Sequence, residues 1–314
     1  MQQRARGSLW RLTSMVMAAA RPWMGVSLGG CLLLAEAPPG ATDSGEMPGS
    51  IEWRQIEAGM ASSCGIRADG GLQCWGCGTA SECNPPAGQF QQLSGYKSHY
   101  CAIADDETVH CWGDREWASL AMDAPPGEFA QVEVADGMSC GLDGDGWITC
   151  WGYGDPFFFS DDQQDEPMTT IFAGADAVCG LNQSGAARCW GTVEEWVTRT
   201  ADGEFEDLAI GANDICGLRA DGSGATDCWG DSNDDTWDAG GMYTDIEANE
   251  VQGCGIQDGE IVCWASASDV GNAPAGEFVS LSLGTQHACA LDGVGVGTCW
   301  GFDNYGETVV PNGP

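Results

Sequence analysis

Two short segments with fixed apolar positions alternate along the chain from residue 51 onward. The first begins with a bulky apolar residue and has an aliphatic residue three positions later. It occurs as WRQI at 53, FQQL at 90, FAQV at 129, MTTI at 168, FEDL at 205, YTDI at 243 and FVSL at 278. The second runs from a cysteine to a Cys-Trp pair, as in CGIRADGGLQCW from Cys64. Together they predict one strand followed by a short hairpin in every copy.

The tryptophan after each second cysteine shows how regular the repeat is. These tryptophans lie at 75, 112, 151, 190, 229, 264 and 300, with spacings of 37, 39, 39, 39, 35 and 36 residues. Repeats of this length, built from a few short strands, stack radially as the blades of a propeller. The sequence therefore predicts an all-β fold, a seven-bladed β-propeller over residues 51–314.

The spacing inside one repeat predicts the register of its hairpin. If Cys64 and Cys74 lie opposite each other, Ile66 faces Leu72 and the loop is Ala68-Asp69-Gly70. A three-residue loop favours glycine at its left-handed position, which Gly70 provides.

Two other repeats depart from this loop. The repeat from Cys254 requires a two-residue turn, and Asp258-Gly259 is the preferred type I′ pair. The second repeat has Glu107 where glycine is expected, which is a weak point of the pattern.

Directly opposed residues in such a hairpin are close enough for a disulfide. We therefore predict seven intra-hairpin disulfides: Cys64–Cys74, Cys101–Cys111, Cys140–Cys150, Cys179–Cys189, Cys216–Cys228, Cys254–Cys263 and Cys289–Cys299. Cys77 and Cys83 remain for an eighth, and Cys31 is left over. The residue after each first cysteine is always Gly or Ala, and we interpret this as space taken by the tryptophan that follows the second cysteine.

The first residues have the pattern of an export segment. A basic start with Arg4 and Arg6 precedes two apolar stretches, neither long enough to span a bilayer. We predict a signal peptide over residues 1–37 and a linker over 38–50. Cleavage after the Ala35-Glu36-Ala37 site is the preferred interpretation. In the alternative, Leu28-Gly29-Gly30-Cys31 is a bacterial lipobox and Cys31 carries a lipid anchor.

Charge and cysteine content narrow the function classes. The chain has 47 acidic residues against 11 basic ones, a formal charge of −36, which disfavours binding to nucleic acid or an anionic membrane. Seventeen cysteines in 314 residues indicate an oxidising compartment. We expect a secreted or cell-envelope bacterial protein, in the periplasm or on the outer surface, and a monomer.

The repeat resembles that of the regulator of chromosome condensation (RCC1-type) family. The resemblance is strongest over residues 278–306, FVSLSLGTQHACAL…CWGFDNYG, and it recurs along residues 51–314. It implies a seven-bladed propeller whose two chain ends close one shared blade. The founding member is a nuclear exchange factor for a small GTPase, a role at odds with export and this acidity. Secreted bacterial propellers that inhibit β-lactamases are a better analogue, at the level of fold only.

The loops after the Cys-Trp-Gly motifs carry extra aromatic residues where the family has other residues. They are candidates for a partner-binding rim, which would comprise Trp117, Phe157 (with Phe158 and Phe159), Trp196, Trp237 and Tyr305. The competing interpretation is packing between blades, and burial of at least four of the five would exclude the rim.

Catalytic and metal-binding patterns are weak. His99 and His287 each lie two residues before a first cysteine, which favours a hydrogen bond at a strand end. No cofactor is predicted. The acidic clusters Asp143–Asp145, Asp161–Glu166 and Asp231–Asp235 are candidate calcium ligands, but none fits EF-hand spacing, and solvated loop charge is preferred.

The sequence thus predicts a non-catalytic extracellular binding module with a protein or glycan partner. The alternatives are a secreted enzyme or enzyme inhibitor with its site at the propeller channel or rim, and a structural cell-envelope protein. Carboxylates or histidines converging in the channel would favour the enzyme.

Overall fold

A computed structural model describes residues 51–78, 81–114, 118, 120–152, 164–175, 177–191, 202–212, 214–230, 240–265 and 269–311. The predicted leader and linker, residues 1–50, lie outside these ranges and remain predictions. The described residues contain twenty-one strands and one short 3-10 helix, Asp269–Gly271. No helix among them is both long enough and apolar enough to cross a membrane.

The strands form seven sheets of three consecutive antiparallel strands, which we number as blades 1 to 7. The strands are β1 (Trp53–Ala58), β2 (Ser63–Arg67), β3 (Leu72–Trp75), β4 (Phe90–Tyr96), β5 (His99–Ala104), β6 (Val109–Gly113), β7 (Gln131–Ala135), β8 (Met138–Leu142), β9 (Ile148–Gly152), β10 (Met168–Ala173), β11 (Ala177–Asn182), β12 (Ala187–Gly191), β13 (Phe205–Ile210), β14 (Asp214–Arg219), β15 (Thr226–Gly230), β16 (Asp245–Ala248), β17 (Gln252–Gln257), β18 (Glu260–Ala265), β19 (Phe278–Leu283), β20 (His287–Asp292) and β21 (Gly297–Gly301). The predicted seven-bladed propeller is confirmed.

The hairpin register is also confirmed. Ile66 pairs with Leu72 and Ile256 with Ile261, as the cysteine spacing predicts. All seven hairpin disulfides form, with Cα atoms 3.9–4.0 Å apart, and Cys77 bonds to Cys83 as the eighth. Each hairpin bridge therefore joins the second and third strands of one blade.

The small residue after each first cysteine has a different cause from the predicted one. A Cβ on Gly65 would lie 2.6 Å from the ring of Trp53, and a Cβ on Gly255 would lie 2.6 Å from the ring of Tyr243. The space is thus taken by the first residue of the same blade's first segment. The tryptophan after the second cysteine packs against that ring instead, with Trp53 and Trp75 centroids 5.2 Å apart. The prediction that this tryptophan fills the space was wrong.

The loop between the second and third strands of each blade forms a hydrogen bond with the next blade. Near its end, each loop has a residue in the left-handed region, which is glycine in six blades and Glu107, at φ 65°, in blade 2. In every blade the carbonyl of this residue accepts a hydrogen bond from the first apolar residue of the following blade, at 2.7–2.9 Å. The pairs are Phe90–Gly70, Phe129–Glu107, Met168–Gly146, Phe205–Gly185, Tyr243–Gly224, Phe278–Gly259 and Trp53–Gly295.

The last of these bonds closes the ring, and the C-terminal segment supports it. Trp112 and Trp300 donate their indole N–H to carbonyls in the loop before their own blade, those of Glu82 and Val270. In blade 1, Trp75 donates instead to the carbonyl of Glu307, at 2.9 Å. Residues from both ends of the propeller therefore meet in blade 1, through loop contacts rather than an added strand.

Candidate functional site

The first strands of all seven blades line a central channel with a cavity of about 200 Å³. Because side chains alternate along a strand, the third and fifth residues of a first segment lie on the same face, and both line the channel in blades 1 and 3. The fifth residues include Glu57, Ser94, Glu133, Glu247 and Ser282. The channel is therefore polar and acidic.

Carboxylates converge in this channel, and burial raises their pKa values. Burial raises the pKa of Glu57 to about 8, with help from the negative charge of Glu133. Burial likewise raises the pKa of Glu133 and that of Asp207 to about 7, and that of Asp245 to about 6. The pKa of Glu247 is raised well above its usual value by burial and by the four neighbouring carboxylates.

Most of these carboxylates bind groups of a neighbouring blade. Ser282 donates to Glu57 at 3.0 Å, and Ser94 donates to Glu133 at 3.0 Å. Asp207 accepts from the backbone N–H of Ile246, and Asp245 from that of Leu281.

Glu247 differs from the other channel carboxylates. Its side chain makes no hydrogen bond with any other described residue. It is thus the channel carboxylate whose charge is least compensated.

Glutamines at the third position join blades 1 to 4. The amide of Gln55 donates to the carbonyl of Leu93 at 2.5 Å and accepts from its N–H at 2.9 Å. Gln92 makes the same pair of bonds to Val132, and Gln131 makes it to Ile171. Blades 5 and 6 have aspartates at this position, so carboxylates replace amides in the same inter-blade contact.

One end of the channel is bridged by side chains from the turns between first and second strands. The Lys97 ammonium lies 2.7 Å from Asp136 and 2.5 Å from Glu250, which joins the turns of blades 2, 3 and 6. Tyr96 packs beside it against Ala175 and Ala212 of blades 4 and 5. These contacts cross the ring axis at that end.

Two buried Ser–His pairs have the spacing of a hydrolytic dyad. His287 Nε2 and Ser63 Oγ share a hydrogen bond of 2.8 Å, and His99 Nε2 and Ser139 Oγ share one of 3.0 Å. All four side chains are fully buried, and each pair joins adjacent blades. Burial lowers the pKa of both histidines to about 4. They therefore serve as structural ties at strand ends.

The predicted rim is only partly within the described residues. Trp117, Phe157, Trp196 and Trp237 lie outside them, as do Phe158 and Phe159. Tyr305 is 58% exposed, as a rim residue should be. The rim stays a prediction.

The predicted calcium clusters give little support to a metal site. Asp143 Oδ1 accepts hydrogen bonds from the N–H groups of Asp145 and Trp147, so it stabilises its own turn. Asp231–Asp235 and residues 161–163 lie outside the described residues. Within the part of the chain that is described, no three His, Cys, Asp or Glu side chains are grouped closely enough to hold a metal ion.

Comparison with known proteins bears on the fold. No protein-family model matches the chain, and no curated protein sequence matches it. The structure is similar to the CRINKLY WD40 ectodomain of the Arabidopsis thaliana receptor kinase ACR4, with a TM-score of 0.69 and 23% identity over 81% of this chain and 96% of that one. It is similar to the ectodomain of the Physcomitrella patens receptor kinase CR4, with a TM-score of 0.67 and 23% identity over 81% and 73%. Yeast RCC1 (Prp20), solved bound to Kap60, gives a TM-score of 0.55 and 16% identity over 70% and 74%. The resemblance to RCC1-type repeats is thus accompanied by an RCC1-like propeller fold.

Proposed function

We propose that the protein is an extracellular, non-catalytic binding module with a protein or glycan partner. The observation that carries this proposal is that the reactive side chains inside the ring, apart from Glu247, are engaged between blades. Glu57 and Glu133 accept hydrogen bonds from the adjacent blade, and Ser63 and His287 are fully buried against each other. Recognition is left to the outer surfaces, where function has to be argued from the site rather than from the fold.

The disulfides support the proposed location. Sixteen cysteines in eight bridges persist in an oxidising compartment and are rare in the cytosol. A similar fold occurs in the ectodomain of a plant receptor kinase. N-terminal sequencing of the exported protein distinguishes a start at Pro38 from a lipidated Cys31. An unprocessed chain recovered from the cytosol would contradict export.

An enzyme with its site in the channel is the second candidate, and the convergence of carboxylates there is the feature that favours it. Carboxylates with pKa values near 7, such as Glu133 and Asp207, suit general acid–base catalysis. However, the cavity of about 200 Å³ is smaller than the roughly 300–1,000 Å³ of most small-molecule sites. This size favours the binding module.

A binding experiment separates these candidates. The exported, oxidised chain is used on a glycan array and to capture proteins from the source's secretome, and every candidate is then titrated as a purified partner. The binding-module proposal expects saturable binding that E57Q/E133Q leaves unchanged. Turnover of a bound candidate that E57Q/E133Q abolishes would establish the enzyme instead. Cofractionation with the cell envelope, without any saturable partner, would favour the structural role.

A further inference from the structure

The hairpin face is the side of the ring that carries the seven loops between second and third strands. Two grooves open on it between neighbouring loops, and they occupy the same position in the repeat. The groove between blades 2 and 3 measures about 660 Å³ and runs between Glu107 and Asp145. The groove between blades 6 and 7 measures about 760 Å³ and runs between Asp258 and Val294. Both are larger than the channel cavity.

The edges of both grooves are acidic. Glu107, Glu128, Asp143 and Asp145 border the first, and none of the described residues that line it is Lys or Arg. Asp258, Glu277 and Asp292 border the second, whose described lining likewise contains no basic residue. None of these seven carboxylates forms an ion pair with a described residue. Each groove therefore has uncompensated negative charge facing solvent.

Apolar residues contribute to the lining of both grooves. Phe129 and Phe278, the first residues of blades 3 and 7, lie in equivalent positions and are each only 6% exposed, and the exposed Ala130 adds apolar surface to the first groove. Val279 and Val294 extend this surface at the second groove and are 62% and 73% exposed. Apolar surface beside acidic edges matches a side chain with an aliphatic stem and a cationic end, as in lysine and arginine.

The geometry points to the hairpin face as a docking surface for a basic polypeptide whose Lys or Arg side chains enter these grooves. This inference rests on the proposed binding function and names the partner's chemistry. A single metal ion fits less well, because the described carboxylates are not grouped closely enough to coordinate one together.

The test uses short oligolysine and oligoarginine peptides, with a neutral peptide of equal length as reference, and the exported full chain. E128Q/D145N removes two of the four carboxylates that border the first groove, and D258N/E277Q removes two of the three that border the second. All four substituted side chains are exposed. D123N/D303N removes the same charge from two exposed loop positions that line neither groove. We expect each groove variant to bind the basic peptides about tenfold more weakly, and the control variant to bind like the unmodified protein. Far-ultraviolet circular dichroism and melting curves verify that all variants are folded.

Two results would overturn the inference. Equal weakening by D123N/D303N would show attraction to the overall charge of −36 rather than to the grooves. Absence of binding to either basic peptide at about 0.15 M ionic strength would show that the grooves do not recognise cations. Saturable binding of a neutral protein or a glycan in that second case would leave the proposed binding function intact.

Discussion

The backbone N–H of Trp53 donates a hydrogen bond to the carbonyl oxygen of Gly295 at 2.8 Å, which joins blade 1 to blade 7. Gly295 lies in the left-handed region at φ 84°, and a Cβ on it would be 2.8 Å from the carbonyl oxygen of Trp53. The requirement for glycine here is therefore twofold: a conformation and a close approach between blades.

Replacing Gly295 with alanine should weaken the closure of the ring. We expect Gly295→Ala to lower the free energy of unfolding by about 2–4 kcal/mol, from the left-handed conformation together with the clash. Gly222→Ala is the control, since Gly222 has φ 74° but a Cβ added to it would meet no atom within 4 Å; it should lose only about 1 kcal/mol. Denaturant unfolding measures both, and equal losses would contradict a role for the contact.

The C-terminal segment offers a second test of closure, with two adjacent valines. Val310 packs against the hydrophobic cluster that contains Trp53 and Ile56 of blade 1, whereas Val309 is 63% exposed. We expect Val310→Ala to cost about 1–2 kcal/mol of unfolding free energy and Val309→Ala less than about 0.5 kcal/mol. If the two substitutions have the same effect, the segment does not hold the ring closed.

The hairpins were predictable from sequence, whereas the channel was not. The hairpin register is determined locally, by the opposed cysteines and by turns such as Asp258-Gly259. The number of residues between the two cysteines of a hairpin is therefore enough to predict which residues pair. Glu57, Glu133 and Glu247 occupy the fifth position of the first segment in blades 1, 3 and 6, but serine, phenylalanine or alanine stands there in the other blades. Acids that meet only through ring closure leave no recurring signal in sequence, although alternation places them on one face of their strands.

We expect a disulfide between two strands to contribute more to the free energy of unfolding than the disulfide in the loop. Cys254 is fully buried in the core, while Cys77 and Cys83 are half-buried outside the strands. We expect C254A/C263A to lower the free energy of unfolding by about 3–5 kcal/mol, because it removes both a cross-link and core packing. C77A/C83A should cost about 1–3 kcal/mol. A larger loss from C77A/C83A, measured by denaturant unfolding under oxidising conditions, would contradict this order.

The channel carboxylates predict that stability falls as pH rises. The folded protein keeps protons on Glu57 and Glu133 up to pH values of about 8 and 7, whereas the unfolded chain releases them near 4.5. Unfolding thus releases protons between these limits, so raising the pH through this window favours the unfolded state. The glutamine in Glu133→Gln cannot ionise. We therefore expect the free energy of unfolding of this variant, measured relative to that of the unmodified protein, to rise by about 1–2 kcal/mol after solvent screening when the pH is raised from 5 to 8. Glu260→Gln, at an exposed hairpin position, is the control and should leave the dependence of the unfolding free energy on pH unchanged. If Glu133→Gln also leaves it unchanged, the channel does not hold these protons.

The buried histidines predict the opposite slope at acidic pH. His99 and His287 have a pKa of about 4 in the folded protein against 6.5 in the unfolded chain, because burial disfavours the imidazolium. Asp136 near His99, and Glu307 and Asp303 near His287, only partly offset this effect. Below pH 6.5 the unfolded chain binds more protons, so stability should fall as the pH drops from about 6.5 to about 4, by an order of 2–3 kcal/mol per histidine. His99→Gln/His287→Gln should be less stable at pH 7, where it loses the bonds to the serines, yet should show a flatter acid limb. His110→Gln, at an exposed position, is the control and should lose stability below pH 6.5 as steeply as the unmodified protein. If the double variant loses stability as steeply too, protonation of His99 and His287 does not drive acid unfolding.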